Sequence, residues 1–428
     1  MPLSCGHDAP AYGVPVCEHI RTATAALDHY LHYTGHGVER RRLCGKCRPE
    51  ADAAVAGEVC EECFYASEGG SLGVLGRPEV VDAPRPVAGT VTATPLPEEA
   101  GEVVDIAPVH GGFVLLSGDG RLLRWDPEAG TCAEVARTGV SVPADAEPWC
   151  GHEQALRLHA SRDGAFAAVV VDHGRRGEVF DLATGAVTLA LENDGYHSNT
   201  VPFSLAFSEH EGRALVLHRT NWSVIEVADP ATGERLVRLP ADDPASAWSG
   251  YFHGALHPSP AGTRLASDAW LWSPVGRTVA WNLTQWLTEG ERAWEGDIGW
   301  STLPDCAYLW DRPVVWLDED RLVLGWLGED DLEKAPGARV FDLAAPGRDG
   351  TDPVETAAFG GPEGRFFAAD GLLYTASEAG LDIWDPAAGT RLGSLPGFRP
   401  THHDPARGEL VELSALGIRR WRTPGAAV

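Results

Sequence analysis

From Ala88 onward the chain alternates between short apolar runs and clusters of turn-forming residues. Runs such as Phe113-Val-Leu-Leu116, Ala167-Ala-Val-Val-Val171 and Leu322-Val-Leu324 are too short for helices and rich in β-branched side chains, so they predict strands. An aromatic followed by a polar residue recurs at the predicted strand ends: Trp125-Asp126, Phe180-Asp181, Trp281-Asn282, Phe341-Asp342, Trp384-Asp385 and Trp421-Arg422. Ala228-Asp229 is a degenerate copy that fills the gap between the second and third of these. The polar positions are separated by 55, 48, 53, 60, 43 and 37 residues, longer than most helical repeats and close to the length of four short strands with their turns.

Turn chemistry supports this register. Asp126-Pro-Glu-Ala-Gly130, Asp181-Leu-Ala-Thr-Gly185, Asp229-Pro-Ala-Thr-Gly233 and Asp385-Pro-Ala-Ala-Gly389 each open on an Asp and close on a Gly that can take a positive φ. A second turn recurs earlier in the units, as in Ser161-Arg-Asp-Gly164, Ser259-Pro-Ala-Gly262 and Gly361-Pro-Glu-Gly364. Each unit therefore reads as four strands, and the expected fold is all-β: a seven-bladed β-propeller over 88–428. After Trp421 too little chain remains for a last strand. The isolated β-run Gly89-Thr-Val-Thr-Ala-Thr-Pro95 is expected to pair beside Ile418 to Trp421 and close the ring.

The first 66 residues follow a different pattern. Ile20, Ala23, Leu27, Tyr30 and Leu31 recur at helical spacing and predict one amphipathic helix from Glu18 to about Tyr33. Around it lie four pairs of potential ligands, Cys5 with His7, Cys17 with His19, Cys44 with Cys47, and Cys60 with Cys63. Cys-x2-Cys lets one tight turn present two sulfurs to a single ion, and Cys-x-His places two side chains on one side of an extended segment. Eight such ligands fill two closed tetrahedral sites, the arrangement of structural zinc. Two partitions fit the spacing: pairs one with two and three with four, or the crossed set of one with three and two with four. The expected organisation is a zinc-binding module at 1–66, a Gly/Pro-rich linker at 67–87 and the propeller beyond.

Composition narrows the function classes. The chain of 428 residues is 44% hydrophobic and 22% charged, as expected of a folded globular protein. Its net charge of −28 repels phosphate backbones and argues against nucleic acid as a partner. The basic run Arg40-Arg41-Arg42 is read as a solvated face. Met1 to Tyr12 lacks the pattern of a secretory signal, and no apolar run is long enough to span a bilayer, so a cytoplasmic address is expected. The Arg-for-Lys, Ala/Gly/Pro-rich usage suggests a bacterial, GC-rich genome. Cys132, Cys150 and Cys306 lie far apart and read as small buried side chains.

Units of the form S-x-x-G, strand, W-D-x-x-x-G resemble WD-repeat, YVTN-type and quinoprotein-like propellers over residues 88 to 422. The recurring Gly-His at blade starts is missing, so the hydrogen-bonded tetrad of WD repeats is not expected. Such folds host many functions. No nucleophile elbow, P-loop or dinucleotide fingerprint is present, and His402-His403-Asp404 reads as a solvated loop. Ten of the 15 tryptophans fall between Trp248 and Trp326. Among them Trp286, Trp294, Trp300 and Trp310 sit in an insertion resembling a helix and loop, the expected partner surface. The leading expectation is a non-catalytic scaffold or sensor with a protein partner. The rival is a hydrolase or lyase in the propeller mouth, using a metal held by residues from several blades. A convergent cluster of His, Asp and Glu around the channel would favour the rival.

Overall fold

The computed structural model describes residues 13–23, 27–34, 39–47, 55–60, 64, 71–74, 78–148, 152–193, 197–221, 224–237, 251–271, 274–289, 300–328, 332–344 and 353–425. Beyond residue 100, the described residues form seven successive antiparallel sheets, each built on four chain-ordered strands save the last, with Cys306–Ala307 as an added fifth strand in the fourth. The chain is a β-propeller. The aromatic–polar pairs fall where the repeat places them, at the end of the third strand of each sheet: Arg121–Asp126, Arg176–Asp181, Val224–Ala228, Val275–Asn282, Ala335–Asp342, Gly380–Asp385 and Gly417–Arg422. The apolar member is buried in every case.

The Asp that follows the aromatic explains why the unit turns there. Asp126 Oδ1 accepts the backbone N–H groups of Glu128 and Ala129, and Asp181 and Asp385 do the same for the residues two and three beyond them. Gly185 and Gly233 then take φ values of 73° and 70°. A Cβ there would lie 2.7 Å from Val135 O and 2.6 Å from Thr188 O respectively, so each turn also abuts the neighbouring sheet closely.

The innermost strands are Val103–Val109, Ala155–Ala160, Leu205–His210, Tyr251–Pro258, Val314–Trp316, Arg365–Ala369 and His402–Asp404. The first six neighbour one another in turn, Arg365 of the sixth donates to Thr401 O just before the seventh at 2.7 Å, and the seventh meets the first, where His402 Nε2 lies 3.2 Å from Asp105 Oδ1. Apolar side chains from facing sheets fill the wedges between them. Val114, Leu116 and Leu122 of the first sheet meet Leu158, Ala167 and Phe180 of the second. Closure follows the expected route: Thr92–Thr94 pairs antiparallel with the last strand, Ile418 opposite Thr94 and Arg420 opposite Thr92. Trp421 Nε1 donates to Ala88 O at 3.1 Å.

The N-terminal residues build a separate five-stranded sheet in the order Val55–Cys60, Gly13–Cys17, Glu39–Cys44, His29–Thr34, Ser71–Val74. This corrects the expected long helix. The helix is a single turn, Glu18–Arg21, and His29–Thr34 is a strand paired with Glu39–Cys44. The run His-Tyr-Leu-His-Tyr-Thr is aromatic-rich and buries His29 and Leu31 at a period of two, while Leu27 of the supposed helical stripe is exposed. The segment expected to be a linker also carries structure. Val81–Asp82 pairs with Thr390–Pro396 of the sixth sheet, and the Ala83 and Arg85 N–H groups donate to Arg391 O and Leu392 O.

The module is docked on the ring. Leu31 packs against Leu327, Ala335 and Ala358 of the fifth sheet, and Arg42 pairs with Glu333 with both side chains buried. Arg42 is therefore no solvated cation: the strand it occupies turns it into the contact. Among the described residues, no helix is long and apolar enough to cross a membrane.

Candidate functional site

Among the described residues, two clusters of ligating side chains emerge, one in each part of the chain. In the N-terminal sheet, Cys17 ends one strand, His19 lies in the single helical turn that follows, and Cys44 ends the neighbouring parallel strand. Cys47 closes the turn Cys44-Gly-Lys-Cys47, its N–H donating to Cys44 O at 3.0 Å. The four ligand atoms lie within 4.8 Å of one another. His19 Nδ1 is 3.1 Å from Cys47 Sγ, and the Cys44 and Cys47 sulfurs are 4.0 Å apart. Val16, Ile20, Leu43, Val59 and Phe64 pack around the three sulfurs.

The electrostatics of this pocket suit a cation. Burial pushes the Cys47 thiol up to about 12, reinforced by the neighbouring Cys17 and Cys44. Burial also opposes ionisation of Cys44, but N–H groups of Lys46 and Cys47 outweigh it and the net shift is downward. Three sulfurs crowded into an apolar wall hold negative charge only if a positive ion shares it, and a bound ion deprotonates such thiols outright. Three sulfurs and one imidazole nitrogen are a closed tetrahedral donor set of the kind that zinc takes.

This cluster joins the second and third ligand pairs, a combination that neither expected partition contained. The reason is topological. The strands carrying Cys17 and Cys44 are parallel neighbours, so their C-terminal ends lie side by side. Cys5, His7, Cys63 and the side chain of Cys60 lie outside the described residues.

The second cluster lies at the ring. His152 precedes the second sheet, His173 follows its second strand, and Asp311 precedes the fifth sheet. His152 Nε2 is 3.1 Å from Asp311 Oδ2, and the two imidazoles stack with centroids 4.5 Å apart. Burial, together with the carboxylates of Asp268 and Asp172, pushes Asp311 up to about 8.

Asp311 also borders a cavity of about 1300 Å3 where the innermost strands of the second, fourth, fifth, sixth and seventh sheets converge. Arg157, His159, His257, Arg365 and His402 line this channel. Burial holds His159 and His257 down to about 4, so both are neutral imidazoles near neutral pH. Burial and Arg157 lower Arg365. Burial opposes the ionisation of Asp105, but His402 and the N–H groups of Leu158 and Ile106 hold its carboxyl below the usual range.

Several sequence expectations are corrected here. His402, His403 and Asp404 form the innermost strand of the seventh sheet rather than a solvated loop. Asp404 is buried because its Oδ1 caps the turn that follows, accepting the N–H groups of Ala406 and Arg407. The inserted helix is present as Leu283–Glu289, but its Trp286 is 2% exposed and packs into the core beside Trp281. It is a wedge filler, not a contact surface. Trp310 is half-buried, its Nε1 donating to Thr200 O at 3.1 Å, and it stands with Trp270 and Phe252 beside the second cluster. Trp294 and the side chain of Trp300 lie outside the described residues. Sequence reasoning missed His152, His173 and Asp311 altogether, because they are brought together across 159 positions by ring geometry and share no local spacing.

No family profile matches the sequence, and no curated protein matches it. Among solved structures, a chain from "Crystal Structure of Mitotic Checkpoint Complex" is similar at 13% identity and a TM-score of 0.49, covering 81% of this chain and 96% of that one. The β-propeller domain of Cps50 (Swd1) from Myceliophteria thermophila is similar at 15% identity and a TM-score of 0.49, covering 78% of this chain and 100% of that domain.

Proposed function

We propose that the protein is a non-catalytic binding platform whose propeller presents a rigid surface to a protein partner. A structural zinc centre, built from Cys17, His19, Cys44 and Cys47, stiffens a second surface beside it. The observation that carries this reading is the combination of a closed donor set with a buried clamp. The strand that ends in the ligand Cys44 also carries Arg42, which pairs with Glu333 of the ring. Zinc binding and docking therefore act on one strand, and the module and ring work as one body with two faces. The net charge of −28 favours a partner with a basic face over a polyanion. Cys5, His7, Cys60 and Cys63 are proposed as ligands of a second zinc ion, and the cytoplasm as the compartment that keeps all these thiols reduced.

Gentle purification of the intact chain from its native cells, followed by cross-linking, tests the platform reading. It predicts a protein companion at fixed stoichiometry, cross-linked to the ring or module and lost when zinc is chelated. A chain that elutes alone at every concentration would count against it. A second reading is favoured by the convergence of imidazoles and carboxylates on the channel: a metal-dependent hydrolase or lyase working in the propeller mouth. Turnover of a small molecule that depends on a metal at the channel would favour it over the platform.

A further inference from the structure

The carboxylates that converge on the ring's interior follow a rule, and one of them breaks it. Asp105 Oδ2 accepts the N–H of Leu158 from the next sheet at 2.8 Å, and its Oδ1 faces His402. Asp172 Oδ1 accepts the N–H of Phe203 at 2.9 Å, and its Oδ2 lies 2.5 Å from Arg157 Nη2. Asp268 accepts the N–H of Arg312 and the hydroxyl of Thr278 at 2.9 and 2.7 Å. Each of these acids ties neighbouring strands together and has its charge answered. Asp311 does not. Among the described residues its Oδ2 is buried without a hydrogen bond, although His152 Nε2 is only 3.1 Å away. Arg157, which lines the same cavity, is already engaged by Asp172. A buried carboxylate oxygen left in this state is unfavourable unless a proton or a cation reaches it.

The imidazoles beside it are prepared for such a cation. His173 Nδ1 is 3.3 Å from Asn199 O. A carbonyl carries no proton, so this contact requires Nδ1–H as donor and leaves the lone pair on Nε2. The same backbone contact to the outer nitrogen orients metal-bound histidines generally. His173 and Asp311 both hold positive φ values, 54° and 60°, a conformation that side-chain-bearing residues adopt at a cost and that is retained where the side chain must be aimed. The ligand atoms of His152, His173 and Asp311 all lie within 4.8 Å of one another.

We propose that His152, His173 and Asp311 form a further metal site, for a divalent first-row transition cation, beside the propeller channel that Asp311 borders. Two nitrogens and one oxygen match the donor preferences of such ions and not those of calcium or magnesium. Three protein ligands leave at least one position for water or for an oxygen donor of a molecule in the channel, in contrast to the closed set of the N-terminal centre. The site goes beyond the platform reading and stands whether or not the N-terminal zinc is confirmed.

The test uses the full-length chain with its cysteine sites saturated by zinc, titrated with Co2+. One further equivalent of Co2+ is expected, with a weak d–d spectrum and no thiolate-to-cobalt charge-transfer band. His152→Ala removes a partly exposed imidazole and should leave the fold intact while weakening this binding at least about tenfold. Asp311→Asn should do the same, and hydrogen exchange over the second and fifth sheets reports whether that variant has folded. Uptake of no further equivalent by the wild type, a charge-transfer band in the added spectrum, or wild-type affinity in folded His152→Ala would overturn the proposal.

Discussion

At the scale of single residues, polar side chains buried without partners set the chain's response to pH. His218 is 1% exposed and neither ring nitrogen has a hydrogen-bond partner among the described residues. Burial, with a smaller contribution from Arg235, lowers it to about 4. The unfolded chain protonates this imidazole near pH 6.5 while the folded chain resists until about 4, so between those values the unfolded state binds more protons. Stability from this group is full above pH 6.5 and lost as pH falls toward 4. Compared with His218→Leu, the wild type should lose on the order of 3 kcal/mol across that window in urea unfolding. A difference that does not change with pH would contradict the assignment. Little of this was legible in the sequence. An isolated histidine carries no sign of its burial, and Arg42, which looked solvated in a run of three, is buried because its strand lies against Glu333. The grouping of Cys17, His19, Cys44 and Cys47, close enough together to hold an ion, was partly legible because local spacing encodes the pairs. His152, His173 and Asp311 were not.

At the scale of elements, the repeat was readable because it is written twice, once in strand-end aromatics and once in Asp…Gly turns. The ring closure was readable by counting strands: a last unit lacking one, and a lone β-run upstream. The N-terminal strand His29–Thr34 was misread as helix, since pairing with Glu39–Cys44 satisfies its backbone and overrides a helical spacing of apolar residues. The partner element most open to test is Thr92–Thr94. Ala93 lies opposite Arg419 in the seventh sheet, and Ala93→Pro removes its N–H and restricts its neighbour. This substitution should destabilise the ring by about 2–3 kcal/mol and raise hydrogen exchange first in Gly417–Arg422. Unchanged protection in that strand would mean that the upstream segment does not close the sheet.

At the scale of the whole molecule, two parts with different sources of stability are joined. The ring is held by shared wedges of apolar side chains, in which each sheet covers its neighbour. The N-terminal sheet buries a small core around three sulfurs, which under the proposed zinc centre an ion neutralises. Were a metal bound there, the clamp of Arg42 on Glu333 and the seat of Leu31 would carry a change at it into the fifth sheet, where loss of one partner of a buried pair costs about 3–5 kcal/mol. Native mass spectrometry of the purified full-length chain, set beside a Cys44→Ser/Cys47→Ser double variant, tests this arrangement most directly. The account predicts that the wild type retains zinc through desalting, and that the variant holds one ion fewer and gains hydrogen exchange over Gly13–Cys17 and Glu39–Cys44. A wild-type mass equal to that of the bare polypeptide, or the same number of ions in both proteins, would contradict it.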